Sequence, residues 1–360
     1  EILKQLETFA PLAYQEDYDN CGLITGNMEQ EVKGILISLD CVESVVEEAI
    51  RENCNLIIAH HPIVFKGLKK INGNTYIERT IIKALKNDIA IYAIHTNLDN
   101  VKGGVNFKIA EKLGLENVKI LVPKKQLLKK LITFVPAAKK EQLLTALHKA
   151  GAGNIGNYSE CSYQLDGIGT FKPNEKANPA IGSSNKKETV EEKRIEVVFP
   201  FYLESAVVSA LYQNHPYEEP AFDLFLLENK DQEVGSGAIG TLPVAMKELD
   251  FMIYLKSKMN LSTIRHTSFL GKEIKKVALC GGSGSFLLKN ALGAHADAYI
   301  SADFKYHEFF DAENKIVIAD IGHYESEVFT KDLIYDFLIE KFSNIAVRLS
   351  KIDTNPISYL

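Results

Sequence analysis

The residues of this chain best suited to chemistry are histidines and carboxylates that directly follow apolar, β-type runs. These runs, with the polar residues after them, are 55–59 before His60 and His61, 89–94 before His95 and Asp99, and 315–319 before His323 and Glu327. In an open α/β sheet, ligands bind beyond the carboxyl ends of the strands. Because imidazole and carboxylate are ligands of borderline and hard metals, the three runs predict one shared metal site.

The spacing of these residues suggests how they divide between two metal ions. His323 and Glu327 are four residues apart where a helix is expected to begin, so they can chelate from one helical face. His60 and His61 are adjacent, and a turn after them can direct them toward neighbouring ions. We therefore predict Asp99 and Glu327 as bridging ligands, with the three histidines as terminal ligands. Each histidine taken alone is about as well explained by a structural role in a loop.

Two other histidines are candidates for proton transfer. His95 lies in the second cluster, although its spacing from Asp99 across a strand end means that the two need not share a face. His307 and Asp303 follow a strand-like run at 298–301, where they can orient a ligand or relay a proton. A loop histidine packed against neighbouring aromatic rings is the equal alternative for His307.

A glycine-rich turn supplies a candidate phosphate site. Gly282, Ser283 and Gly284 follow a strand-like run and precede a predicted helix. Backbone amides at such a helix N-terminus can hold a phosphate. No Gly-Lys-Ser/Thr follows, so this is not a Walker loop, and a tight strand-to-helix turn is the alternative.

The order of the elements predicts an α/β protein with an insertion. Strands alternate with helices over residues 1–125, which predicts a parallel sheet covered on both faces. Residues 126–234 show a βαβ pattern twice, as in a ferredoxin-like module, with a rigid turn predicted at 215–220. The α/β pattern resumes over 235–360, where one long helix is predicted from about Ser326 to Phe342. We therefore predict one α/β domain in two sequence halves, interrupted by an α+β insert.

Composition narrows the function classes. The 360 residues carry a formal net charge of -6, which argues against a nucleic-acid binder. Five widely spaced cysteines without a C-x-x-C pair predict reduced thiols. No apolar stretch approaches the ~18 residues of a membrane helix, and no signal peptide is apparent, so we expect a cytoplasmic protein without membrane association.

Several segments resemble those of one known family, the NIF-three-like dinuclear-metal proteins, often labelled GTP cyclohydrolase 1 type 2 homologues. The similar segments are His60-His61-Pro62, His95-Thr96-Asn97-Leu98-Asp99, Gly322-His323-Tyr324-Glu325-Ser326-Glu327, Asp19-Asn20-Cys21-Gly22-Leu23 and Gly237-Ala238-Ile239-Gly240-Thr241-Leu242-Pro243. The central module resembles the PII-like or CutA-like insert of the longer members. The resemblance covers essentially the whole chain.

This resemblance implies a toroidal homohexamer with two divalent metal ions per subunit. It implies His60, His61, Asp99, His323 and Glu327 as the ligands. Oxygen and imidazole ligands without thiolate suit Zn, Fe or Mn. The expected function is that of a metal-dependent hydrolase acting on a nucleotide, by opening the imidazole ring of GTP or by cleaving a phosphoester. The alternative is a non-enzymatic ring protein that binds metal or a small molecule for regulation.

Overall fold

The computed structural model describes residues 1–360, which form two compact units. One unit combines Glu1–Pro123 with Gln232–Leu360, and the other is Lys124–Asp231. The predicted fold class, an α/β domain in two sequence halves interrupted by a ferredoxin-like insert, is confirmed. None of the helices is both long and apolar enough to cross a membrane.

The regular elements alternate along the chain. The helices are α1 Ile2–Phe9, α2 Glu43–Arg51, α3 Tyr76–Lys86, α4 Thr96–Asp99, α5 Val105–Lys112, α6 Lys140–Lys149, α7 Glu204–Asn214, α8 Glu248–Lys258, α9 Leu288–Gly293, α10 His323–Glu327 and α11 Thr330–Lys341. The strands are β1 Gly22–Thr25, β2 Gly34–Ser38, β3 Leu56–Ala59, β4 Ala90–Ala93, β5 Glu116–Lys125, β6 Leu128–Pro136, β7 Tyr163–Phe171, β8 Glu188–Pro200, β9 Phe222–Leu227, β10 Lys230–Lys247, β11 Arg265–His266, β12 Glu273–Ser283, β13 Ala298–Ala302, β14 Val317–Asp320 and β15 Ala346–Leu349. Short 3-10 helices cover Leu12–Tyr14, Ala137–Lys139, Phe201–Leu203, Ser285–Leu287 and Tyr306–Ala312.

A five-stranded sheet, ordered β1-β4-β3-β2-β15, carries the first two candidate clusters. Strands β2, β3 and β4 run parallel and are buried along their whole length. Both faces of a parallel sheet must be covered, which explains their continuous apolar sequence. On one face Val45 of α2 and Ile81 of α3 pack with Leu36, Ile57 and Ile91 in one core.

A second sheet, ordered β11-β14-β13-β12-β10-β5, carries the third cluster. Its strands β12, β13 and β14 are parallel, and the long strand β10 pairs antiparallel with β12. The three histidine-bearing strand ends therefore belong to two sheets of one unit, since β3 and β4 lie in the five-stranded sheet and β14 in this one. Neither long strand, β5 or β10, was predicted from the sequence.

The insert forms an antiparallel four-stranded sheet ordered β9-β6-β8-β7. With α6 after β6 and α7 after β8, this is the βαββαβ arrangement of a ferredoxin-like fold. Leu143 and Leu211 of the two helices pack on Leu131, Ile195 and Phe199 of the sheet. The helices thus cover one face of the sheet, and the other face is free of helices.

The C-terminal strand is fastened to the five-stranded sheet by a buried carboxylate. Strand β15 pairs parallel with β2, and Glu48 of α2 is only 5% exposed. Its oxygens accept hydrogen bonds from Ser350 Oγ at 2.5 Å and Lys351 N at 2.9 Å. The chain beyond this point reaches Asp40, whose carboxylate accepts a hydrogen bond from Thr354 Oγ1 at 2.6 Å. The hydrogen bonds to Glu48 therefore also help to position Asp40.

We expect Glu48→Ala to destabilise the protein by about 1–3 kcal/mol, because two donors at the end of β15 lose their acceptor. Urea unfolding measures this change, and hydrogen exchange of the amides at 346–350 localises it. Glu47→Ala is the matched control: Glu47 is exposed and pairs only with Lys83 on the surface, a contact worth about 0–1 kcal/mol. Equal losses in the two variants would contradict this account.

Candidate metal centre

Four histidines meet where β3, β4 and β14 end. The ring centroids of His60 and His61 are 5.0 Å apart, and the His95 ring lies 5.2 Å and 5.3 Å from these two. The His323 ring, which follows β14 in the other sheet, is 5.2 Å from that of His61. The two sheets of the unit thus bring together all three clusters that the sequence indicated.

A buried carboxylate lies among these rings. Glu327 is 3% exposed, and its Oε2 is 2.9 Å from His61 Nε2, 3.1 Å from His323 Nε2 and 3.9 Å from His60 Nε2. Asp99 Oδ1 is 3.6 Å from His60 Nε2. The two carboxylates and four imidazoles therefore form one continuous set of donors.

Three groups within this set are tight enough to hold a metal ion, with their donor atoms within 4.8 Å of one another. The groups are His60 with Asp99 and Glu327, His61 with His323 and Glu327, and His60 with His61 and His95. Glu327 is common to the first two groups, which suits a bridging carboxylate. Asp99, which we had also predicted to bridge, belongs to one group only.

The Nδ1 atom of every histidine in the set has an acceptor outside it. The acceptors are Ile94 O for His60 at 2.8 Å, Asp40 Oδ1 for His61 at 2.8 Å, Asp19 Oδ1 for His95 at 2.9 Å and Asp303 Oδ2 for His323 at 2.7 Å. When Nδ1–H donates outward, Nε2 is directed at the centre. Metal-ligating histidines are held in this way, which fixes the tautomer and the ring orientation.

Two buried atoms at the centre have no hydrogen-bond partner, and they show that the site fits a cation. They are His60 Nε2 and Asp99 Oδ1, which face each other. Because His60 donates Nδ1–H to a carbonyl, its Nε2 is an acceptor, as is a carboxylate oxygen. Buried polar atoms without a partner are costly, and a divalent cation would satisfy both of these once Asp99 is ionised. Imidazole and carboxylate donors without thiolate suit Zn, Fe or Mn.

The two carboxylates have opposite pKa shifts. Burial and the nearby Glu327 carboxylate raise the pKa of Asp99 well above its usual value. Burial alone would also raise the pKa of Glu327, but hydrogen bonds from His323 and His61 hold it well below the usual value. Glu327 is therefore the ionised member of the pair in the metal-free protein.

The histidines also have opposite pKa shifts. Burial lowers the pKa of His60 to about 3, so His60 is neutral. Burial also opposes the charged forms of His61 and His323, but carboxylate hydrogen bonds outweigh it and raise their pKa values to about 9 and about 11. Protons on these two rings thus neutralise Glu327 in the absence of metal. Metal ligation requires their removal.

Local backbone geometry lets Glu327 come this close. Gly282 has φ +57°, and a Cβ there would lie 2.4 Å from Glu327 Oε1. The Gly281 and Gly282 amides donate to Asn106 Oδ1 and Ser326 Oγ, each at 2.9 Å. The glycine turn therefore makes room for the carboxylate. Phosphate binding by Gly282, Ser283 and Gly284 stays a prediction.

Two local predictions differ from the structure. A single helix was expected from about Ser326 to Phe342, but α10 ends at Glu327 and α11 begins at Thr330, which places His323 and Glu327 in a separate short helix. Asp99 ends the short helix α4, for which His95 is the N-terminal cap residue, so these two are one helical turn apart. The strand end that we had assumed between them is therefore a helical turn.

Of the two candidates at 303 and 307, only one contacts the histidine cluster. Asp303 hydrogen-bonds His323, whereas His307 is exposed, with its ring against Tyr306 and Phe310, and is not part of the metal-binding groups. Sequence reasoning assigned no site role to Asp19 or Asp40. The signal for Asp19 was its place in the Asp-Asn-x-Gly-Leu element.

Comparison with known proteins supports the family resemblance. The model of the Duf34/NIF3 (NGG1p interacting factor 3) family matches residues 1–356. The chain belongs to this family. It is 39% identical over 365 residues to the GTP cyclohydrolase 1 type 2 homolog of Bacillus subtilis, covering 100% of this chain and 98% of the relative.

Solved structures of family members are similar over the whole chain. A Bacillus cereus protein related to NIF3 has a TM-score of 0.86 and 37% identity, covering 100% of this chain and 98% of its own. Staphylococcus aureus protein SA1388 has a TM-score of 0.80 and 30% identity, covering 100% of this chain and 97% of its own.

We expect Asp19→Asn to weaken metal binding about 10–100-fold, since an amide cannot replace the carboxylate beside His95. Asp19 Oδ1 accepts from Asn20 N and His95 Nδ1, and Oδ2 accepts from Thr96 N, so either orientation of an amide sets its NH2 against a backbone N–H. Zinc competition with a chromophoric chelator measures the affinity.

The matched control is Asp17→Asn, since Asp17 lies two residues away and is exposed. It removes the same charge from the same loop without touching His95. An Asp19→Asn protein that binds zinc as tightly as the control variant does would show that the carboxylate does not orient a ligand.

Proposed function

We propose that this protein binds two divalent metal ions and is a metal-dependent hydrolase acting on a nucleotide. The observation that carries the proposal is the shared position of Glu327 between two groups of donors, one with His60 and Asp99 and one with His61 and His323. Sites that share a carboxylate in this way are typical of paired-metal hydrolases.

In the proposed assignment, His60, Asp99 and Glu327 would hold the first ion, and His61, His323 and Glu327 would hold the second. His95 offers a further nitrogen beside His60 and His61. We therefore assign His95 to the metal centre rather than to proton transfer. A bound pair of divalent ions activates water for attack and stabilises the negative charge that develops on an oxygen.

The chain's own residues hold this centre in place. Asp19, Asp40 and Asp303 orient His95, His61 and His323 through their Nδ1 atoms. These hydrogen bonds fix each ring before a ligand arrives, so binding needs little rearrangement.

Two exposed aromatic rings beside the centre favour a planar substrate. The Phe65 ring lies 6.3 Å from that of His95 and 6.1 Å from that of Tyr18. Phe65 is 44% exposed and Tyr18 is 65% exposed, although both are large aromatic residues. Every nucleobase has a flat aromatic face, so any of the bases can stack on such rings. The name of the relatives, GTP cyclohydrolase 1 type 2 homolog, also points to a guanine nucleotide.

We expect about two metal ions per chain in protein purified without chelator, and a lower content in Asp99→Asn. The amide is a poor ligand for the first ion, so metal addition should raise the melting temperature of the wild type more than that of the variant, which keeps the second group of donors. Element-resolved metal analysis and thermal unfolding with and without chelator measure both effects.

Asp311→Asn is the matched control, because Asp311 is exposed in the same unit and lies outside the metal-binding groups. Metal content that does not respond to Asp99→Asn would overturn the paired site, and the donor cluster would then be structural.

We expect the metal-loaded protein to hydrolyse GTP or a related nucleotide, with formate release reporting ring opening and phosphate release reporting phosphoester cleavage. Phe65→Ala should raise KM by the equivalent of about 1–3 kcal/mol, with kcat less affected, because a stacking surface is lost. Phe310→Ala, which removes a 66% exposed ring that contacts no histidine of the centre, should change neither constant.

Full metal content without turnover of any nucleotide would overturn the hydrolase assignment while leaving the metal centre intact. The protein would then be a metal-binding regulatory protein, as the alternative interpretation of the sequence holds. Assembly as a homohexamer remains a prediction of the family resemblance.

A further inference from the structure

The helix-free face of the insert's sheet carries a cavity of about 610 Å³. Its floor consists of β7 and β8 with Phe134 of β6, and its walls are the segment after β7 and the turn before β9. All residues that line it belong to the Lys124–Asp231 unit. The volume is in the range of small-molecule sites, about 300–1,000 Å³.

Most of the lining is apolar. The apolar side chains are Phe134, Leu165, Ile168, Phe171, Pro173, Ala177, Pro179, Ala180, Ile181 and Ala221. Apolar walls with a few fixed polar groups are typical of ligand sites, in which the polar groups set the orientation of the ligand.

Glu192 is the buried polar group on the floor. It is only 9% exposed, and its Oε1 accepts a hydrogen bond from Tyr217 Oη at 2.7 Å. Its Oε2 lies over Gly169, where a Cβ would be 2.1 Å away, so the glycine makes room for the carboxylate. Glu192 forms no ion pair, although a buried carboxylate is costly without one.

The one cation on the floor is already paired, since Arg194 contacts Glu196 at 2.8 Å. Lys193 lies outside the lining and pairs with Asp166. Among the charged residues of the lining, four are acidic and two basic: Asp166, Glu192, Glu218 and Glu219 against Lys172 and Arg194. The cavity therefore favours a cation over an anion.

The walls are held in place without a ligand. Asn178 N donates to Glu218 Oε1 at 2.9 Å, which ties the segment after β7 to the turn before β9. Tyr217 N donates to His215 Nδ1 at 3.1 Å, and His215 Nε2 donates to Phe134 O at 2.9 Å. The rigid turn predicted at 215–220 thus also positions Tyr217 against Glu192.

We propose that this cavity binds a small organic cation, an ammonium group attached to an aromatic or aliphatic body. The ammonium group pairs with Glu192, and the body packs on the apolar walls. The Phe171 and Tyr217 rings, whose centroids are 5.7 Å apart, supply faces that attract a cation. The site is formed by the insert alone and is independent of the metal centre.

Tryptamine is a direct probe, because the chain contains no tryptophan and indole emission therefore reports the probe alone. We expect saturable binding of tryptamine to the full-length protein, seen as a rise in fluorescence anisotropy. Indolepropionate, which carries a carboxylate in place of the ammonium group, should not bind. Phenethylamine should compete with tryptamine.

Glu192→Gln should weaken tryptamine binding about tenfold or more, since a charge-assisted hydrogen bond is lost. Glu191→Gln is the matched control, because Glu191 is the exposed neighbour on β8 and does not line the cavity. Ala177→Phe, which fills the cavity without altering its charge, should abolish binding. Thermal unfolding of each variant shows whether it is folded.

The proposal fails if the wild type does not bind tryptamine, as would happen if a second copy of the chain covered this face. It fails equally if Glu192→Gln and Glu191→Gln bind tryptamine with the same affinity. Should Glu192→Gln not fold, unchanged binding by a folded Ala177→Phe would overturn the proposal.

Discussion

The burial of the Glu327 carboxylate among the rings of His60, His61 and His323 is the constraint on which the rest of the centre depends. An isolated buried carboxylate costs several kcal/mol, so the surrounding structure must supply positive charge or donors. Protons on His61 and His323 do this in the metal-free protein, and a cation between the same atoms would do the same. Both solutions require the strand ends of two sheets to meet within hydrogen-bonding distance of one carboxylate.

The acceptors that hold the Nδ1 atoms of the histidines link the centre to more distant parts of the fold. Asp40, which fixes His61, is itself held by Thr354 in the chain after β15. That segment depends in turn on Glu48, a buried carboxylate satisfied by the end of β15. The carboxylates of Asp40 and Glu48 thus each accept hydrogen bonds from donors in the C-terminal segment. This gives rings on separate strands a common orientation, as a preorganised site requires.

The insert contains a buried carboxylate in a different situation. Glu192 accepts one hydrogen bond from Tyr217 and faces an apolar cavity, whereas Glu327 faces three imidazoles. The surroundings of Glu327 suit a metal ion, since several lone pairs converge. Those of Glu192 suit an organic cation, since one charge lies among apolar walls. The same functional group is therefore suited to a different ligand according to what packs around it.

The sequence by itself determined which residues are candidates for the metal centre and which elements bear them. Apolar strand runs ending in His60, His95 and His323 are local patterns, and the ferredoxin-like order of the insert follows from local periodicity as well. Only the tertiary structure decided that the runs belong to two sheets, that Asp19 orients His95, and that Glu192 faces a cavity. These facts depend on packing between segments far apart in the chain, such as the 76 residues that separate Asp19 from His95. Residue type and periodicity are local properties, whereas the partner of a side chain is set by long-range packing.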